Sequence, residues 1–288
     1  MKQKIFYTSI MLLLSSLFFS CKQGGESKEG EKTSLVATTG MIADGMQEIV
    51  GEEFEVIGLM GPGVDPHLYK ATRSDLTKLR EASVICYNGL HLEGKMGDIL
   101  EKVGLNKPVI ALGEGIPKDQ LIYHGENQDS QDPHIWFDVS LWMKALSHAT
   151  EELKDIYPEK ADLFQQNLNT YLDSLAQLDS WAREELATIP PQQRVLITAH
   201  DAFSYFGEAY DVEVRGLQGI STVSEFGLKD IKDLVDFIVE RDIKAVFVES
   251  SIPSLVVRIG GMKSKSEVPF TAMPWVTRVL MQVPIPVW

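Results

Sequence analysis

The sequence predicts an α/β protein of two parallel-sheet lobes joined by a single long helix. Three observations carry that reading. Short β-branched runs alternate with helical stretches from residue 34 to about 110, one helical stripe runs without a break over 159–187, and strands resume beyond it. In the first lobe, 35–38, 54–60 and 84–87 read as strands, and 41–50, 74–81 and 96–103 as helices. Strands that alternate with helices imply a parallel sheet covered on both faces. Cys86 falls inside the third strand, where a reduced thiol serves as a small apolar side chain.

Between 138 and 189 turn signals nearly vanish apart from Pro158, and Phe164, Leu168, Leu172, Leu175, Leu178 and Trp181 recur at steps of three or four. At 1.5 Å per residue this helix would be about 40 Å long, enough to cross a pair of domains. Beyond it, 194–199, 212–217 and 245–249 read as strands and 228–240 as a helix.

Composition narrows the function. The 288 residues are 44% hydrophobic and 24% charged, which excludes a disordered polymer and leaves apolar material for two domains. Acidic residues outnumber basic ones, 41 to 27, and the resulting charge of -14 would repel a phosphate backbone, so nucleic acid is not an expected partner. Cys21 and Cys86 are the only cysteines, so a metal site must draw on histidine and carboxylate.

At the amino terminus Lys2 and Lys4 precede an apolar run of about 15 residues, too short to span a roughly 30 Å hydrocarbon core and matching the core of an export signal. The run ends at Cys21, and residues 22–33 are almost wholly Gly, Glu, Lys, Ser and Gln, a flexible tether. The expected boundaries are a signal peptide at 1–20, a lipidated tether at 21–33, an N-terminal lobe at 34–157, the linking helix at 158–189 and a C-terminal lobe at 190–254. Residues 255–288 form an anomalous tail.

Three of the six histidines stand in unusual surroundings. Asp-Pro-His occurs twice, ending in His67 and in His134, and His200 closes the apolar run 195–199. Ligands of open parallel sheets bind just outside the carboxyl ends of strands, where His67 and His200 are expected. Three imidazoles from separate loops suit zinc, and manganese or iron if carboxylates join them. A proline before each of two histidines fixes the backbone and lowers the cost of presenting a ligand. His91, His124 and His148 read as ordinary loop or helix residues. Neutral imidazoles predict an affinity that falls as pH drops through roughly 6.5.

The strings GPGVDPHLYKAT, ICYNGLHLEGKM, DPHIWFDVSLW, VLITAHDAFSYFGEAY, VEVRGLQGISTVSE and VFVESSIP resemble the zinc- and manganese-binding lipoproteins of bacterial ABC importers, the TroA-like group of solute-binding proteins. The resemblance runs from about residue 34 to Pro253. It implies two lobes bridged by a rigid helix and a metal held in the interlobe cleft by three histidines and one aspartate, with His67, His134 and His200 in the histidine positions. It also implies lipidation at Cys21, a location outside the cytoplasmic membrane or in the periplasm, an ABC permease as partner, and a monomer that performs no catalysis. Residues 125–131 are short and hold no histidine, unlike the His-rich loop of many zinc members, which leaves the metal's identity open. Glu249, at the end of a strand, is expected to orient a histidine ring. Two rival classes share these residues. A zinc hydrolase would use the three histidines with Glu249 as base, although no His-Glu-x-x-His string occurs. A metal-binding surface adhesin is the other, and no feature of the sequence addresses it.

The family's aspartate ligand lies in a segment reading roughly GGxLYSDAMG, which has no in-frame counterpart here. Reading the third base of each codon with the first two of the next, Met262-Lys263 forces Glu, Met273-Pro274 Ala, Trp275-Val276 Gly and Met281-Gln282 Ala. The remaining pairs permit HEVKIGGSLYSDAMGDPGTDAGTYTGM. Residues from about Leu255 onward are therefore expected to be translated in a shifted frame, with the aspartate lost and metal binding impaired.

Overall fold

A computed structural model of the chain describes residues 32–124, 130–222 and 227–241, together with Ile243 and Phe247. Its first sheet has four parallel strands, β1 (Thr33–Ala37), β2 (Phe54–Gly58), β3 (Val84–Tyr87) and β4 (Val109–Ala111), in the order β2-β1-β3-β4. Leu35 of β1 pairs with Val56 of β2 on one side and Val84 of β3 on the other. Strands at the centre of such a sheet are covered on both faces, which explains the unbroken burial of Leu35, Val36 and Ala37. Helices α1 (Gly40–Val50), α2 (Arg73–Glu81) and α3 (Gly97–Gly104) make the crossovers. Each strand predicted in this lobe is present, and β4 is added. No periodic signal marks β4, because three residues are too few to show a period.

Local chemistry sets the helix ends. Thr72 and Asp75 form a reciprocal capping box at the start of α2. Asp138 caps α4 (Val139–Ile156), accepting hydrogen bonds from the main-chain N–H groups of Ser140 at 2.7 Å and Leu141 at 3.3 Å. Tyr157 and Pro158 then break the helical run, and α5 (Ala161–Ala187) follows.

At 27 residues, α5 is about 40 Å long. Its apolar stripe serves two cores in turn. Phe164, Leu168 and Leu175 are buried with α1 and α4 in the core of the first sheet, whereas Ala182 and Leu186 join Ile189 and Tyr210 in a separate cluster near the second. Asn167 ties this helix to α1 by donating to the Ile49 carbonyl at 2.9 Å.

A small antiparallel pair, β5 (Tyr123–His124) and β6 (Ser130–Gln131), leads into α4. The second parallel sheet comprises β7 (Val195–His200) and β8 (Glu213–Gln218), with Phe247 bridging to Thr198. Helix α6 (Ser204–Tyr210), which sequence reasoning did not separate from its surroundings, connects β7 to β8, and α7 (Leu228–Glu240) has the bounds the periodicity predicts. Cys86 lies fully buried in β3, and burial pushes its thiol up to about 12, as befits an inert core residue.

Candidate metal centre

The three singled-out histidines meet although 133 residues separate the first from the last (200 minus 67). His67 lies in the loop after β2, His134 follows β6, and His200 is the last residue of β7. His67 Nε2 is 3.2 Å from His134 Nε2, and the three rings stand edge to face with centroids 5.0 to 5.3 Å apart. One ring nitrogen from each lies within 4.8 Å of the other two. All three side chains are buried, so the cluster is an interior feature and not a chance meeting at the surface.

Each Asp-Pro-His segment is the same backbone device. Asp65 Oδ1 accepts the His67 main-chain N–H at 2.9 Å, and Asp132 Oδ1 accepts that of His134, also at 2.9 Å. The intervening proline fixes φ, so carboxylate and imidazole are held on one tight turn. The aspartates then diverge. Asp132 Oδ1 also lies 2.7 Å from His134 Nδ1. An ionised carboxylate only accepts, so Nδ1 carries the proton and Nε2 presents its lone pair toward His67. Asp65 instead spends its other oxygen across the molecule, accepting from Thr222 Oγ1 at 2.6 Å. Sequence reasoning credited the proline and missed both aspartates; the repeated tripeptide was the available signal.

Two of the sequence expectations about supporting residues need restating. Glu249, expected to orient a histidine ring, lies outside the described residues; among those described, Asp132 makes that contact. His124 is no bystander, since its Nε2 on β5 sits 3.5 Å from Asp132 Oδ2. His148 lies within α4 as expected, packed beneath Gly115, and His91 is an exposed loop residue. Cys21 and the tail at 255–288 lie outside the described residues.

Electrostatics favour an incoming cation. Burial pushes the His67 imidazole down to about 3, helped by the facing rings of His134 and His200. Burial and His134 lower His200 to about 4, against the pull of the Ile220 carbonyl and the Asp132 charge. Burial alone would raise the Asp132 carboxyl, but contacts from His124 and His134 hold it well below the usual carboxylate range. At neutral pH His67 and His200 are therefore uncharged, and a buried anion backs the cluster. The fall in affinity expected near pH 6.5 moves lower for His67 and His200, because desolvation opposes their protonation.

The second sheet contributes more than His200. The His200 Nε2 atom lies 2.8 Å from the Ile220 carbonyl, which can only accept, so Nε2 bears the proton there and Nδ1 holds the lone pair. Tyr205 of α6 receives the Ile122 N–H and donates to the Asp132 carbonyl, both at 3.1 Å. The loop that presents His134 is thus bolted to a helix of the second sheet.

Comparison with known proteins adds the relatives. The profile of the family described as zinc-uptake complex component A, periplasmic, matches residues 35–262. The manganese-binding lipoprotein MntA of Bacillus subtilis is 48% identical over 237 residues, 82% of this chain and 77% of that protein. The zinc-binding protein TroA of Treponema pallidum is 46% identical over 222 residues, covering 77% and 71%. The solved structure of that periplasmic zinc-binding protein superposes with a TM-score of 0.75 at 44% identity, covering 79% of this chain and 81% of the other.

Proposed function

This chain belongs to the family of periplasmic zinc-uptake complex component A, and from that premise we propose that it captures zinc or manganese outside the cytoplasmic membrane and delivers the ion to the permease of an ABC importer. The observation that carries the reading is the convergence of three buried imidazoles, with ring nitrogens within 4.8 Å of one another, on a two-sheet scaffold shared with a zinc-binding protein. Capture needs no bond-making on the cargo. His67, His134 and His200 replace water around the ion, Asp132 fixes the tautomer and direction of one ring, and closure of the two sheets around the ion desolvates it. Release then requires that the β7–β8 side, which supplies His200, part from the segments that supply His67 and His134.

Export and lipidation at Cys21 would hold a monomer near its permease by one acyl-bearing residue. The fourth ligand, an aspartate, is displaced from the reading frame from about Leu255 onward. With three neutral ligands and no carboxylate on the ion, zinc is retained better than manganese, the harder cation.

Metal analysis of protein purified without added metal tests the reading, alongside the His67→Ala variant. Bound zinc in the parent and none in a folded His67→Ala is the expected result; equal metal in both removes His67 from the site. A gene with the LYSDAM frame restored should gain manganese affinity, and unchanged affinity refutes the account of the tail.

A further inference from the structure

One buried carboxylate has no part in the cluster. Glu93 is 1% exposed, and no lysine or arginine among the described residues is bonded to it. Its Oε1 accepts from Thr38 Oγ1 at 2.8 Å and from the Asn88 main-chain N–H at 2.6 Å, and its Oε2 from the Gly89 N–H at 3.2 Å. An anion buried without a cation is costly, and these donors are what stabilise it.

Two of the three donors, the Asn88 and Gly89 N–H groups, belong to the loop that leaves β3, residues 88–94. Four of its seven residues, Gly89, Leu90, His91 and Gly94, have φ between 47° and 76°. Leucine and histidine adopt such a conformation only when the surroundings impose it. Glu93 is what folds the loop back on its own start. The folded loop lies between the two Asp-Pro-His segments. On one side Asn88, pinned through its carbonyl by the Gly113 N–H at 2.8 Å, donates from Nδ2 to the Pro133 carbonyl at 3.0 Å. On the other, Gly94 packs so closely on the His67 main chain that a Cβ there would lie 2.7 Å from the His67 carbonyl oxygen.

We propose that Glu93 and Gly94 are positioning residues, which act through the 88–94 loop to set the separation and aim of His67 and His134. This rests on the reading of those histidines as metal ligands. Thr38, at the exit of β1, ties the carboxylate to the centre of the sheet, so the loop serves as a rigid spacer between the two ligand segments. A spacer of this kind governs where His67 and His134 stand before the ion arrives.

The test uses cobalt(II) as probe, because its visible absorption reports coordination geometry in the bound fraction alone. Glu93→Gln keeps the shape but sets an amide group against a main-chain N–H, and Gly94→Ala adds the single carbon that meets the His67 carbonyl. Gly97→Ala, where a Cβ meets nothing within 4 Å, is the control. Both test variants should bind cobalt about 10- to 100-fold more weakly with an altered spectrum, and the control should match the parent. Their metal-free crystal structures should show the His67 to His134 separation changed by about 0.5 Å or more. If either variant folds with parental affinity, spectrum and ring separation, the spacer role is overturned; Glu93→Gln serves if Gly94→Ala does not fold. If instead His67→Ala binds cobalt as the parent does, the ligand assignment fails, while the metal-free ring separation still decides whether the loop positions the rings.

Discussion

Asp132→Asn isolates the contribution of one carboxylate to a ring it never leaves. Asn can still present an oxygen to the His134 N–H and Nδ1–H, now at 2.9 and 2.7 Å, so the turn should survive. What changes is the charge behind those bonds. A hydrogen bond to an ionised group is worth about 1.5–3 kcal/mol and a neutral one about 0.5–1.5, so the ring contact weakens by roughly 1.4 kcal/mol. That corresponds to about tenfold in zinc affinity, and Asp132→Ala should reach the upper part of the 10- to 100-fold range typical of groups that orient a metal-binding histidine. Asp65→Asn is the internal comparison. It carries the same main-chain bond to its histidine at 2.9 Å, but its second oxygen goes to Thr222, so its cost should be about two- to threefold, from roughly 0.5 kcal/mol in one charge-assisted bond. The assay is competition for zinc against a chromophoric chelator at neutral pH, with thermal melts to confirm folding. Equal losses in the two variants, or parental affinity in Asp132→Asn, would refute the claim that ring orientation is what separates the aspartates.

Other outcomes follow from the same geometry. The unfolded chain protonates His67 and His200 near pH 6.5, whereas the fold holds them at about 3 and about 4. The unfolded state therefore binds more protons below pH 6.5, so metal-free stability is full above that pH and is lost as pH falls toward 4; a pH series of urea melts that is flat from pH 7 to 4.5 contradicts this. For the same reason zinc affinity at pH 5.5 should fall far less than the roughly tenfold per imidazole that an ordinary value of 6.5 implies. Tyr205→Phe leaves the part-buried Ile122 N–H without its acceptor and should cost about 1–3 kcal/mol in urea unfolding, and a loss near zero would show that water replaces the hydroxyl. Cys21→Ser should move the protein from the membrane to the soluble fraction, and persistence in the membrane would mean that the apolar run is itself the anchor.

The sequence by itself determined the α/β class, the long helix and the three histidines, because each has a local signature. Strands and helices announce themselves through periods of two and 3.6, so α7 and most first-lobe elements could be bounded within a residue or two. The histidines stood out because Asp-Pro-His repeats and because His200 closes a strand. Only the tertiary structure decided what supports them. Asp65 and Asp132 are identical in local sequence, yet one orients its own imidazole and the other reaches Thr222, 157 residues away. His124 looks like any loop histidine until β5 places it against Asp132. Glu93 looks like a surface glutamate until the loop curls it inward beneath Thr38. Hydrogen-bond partners and burial are properties of chain crossings distant in sequence, and no local pattern encodes which donors a buried carboxylate will meet.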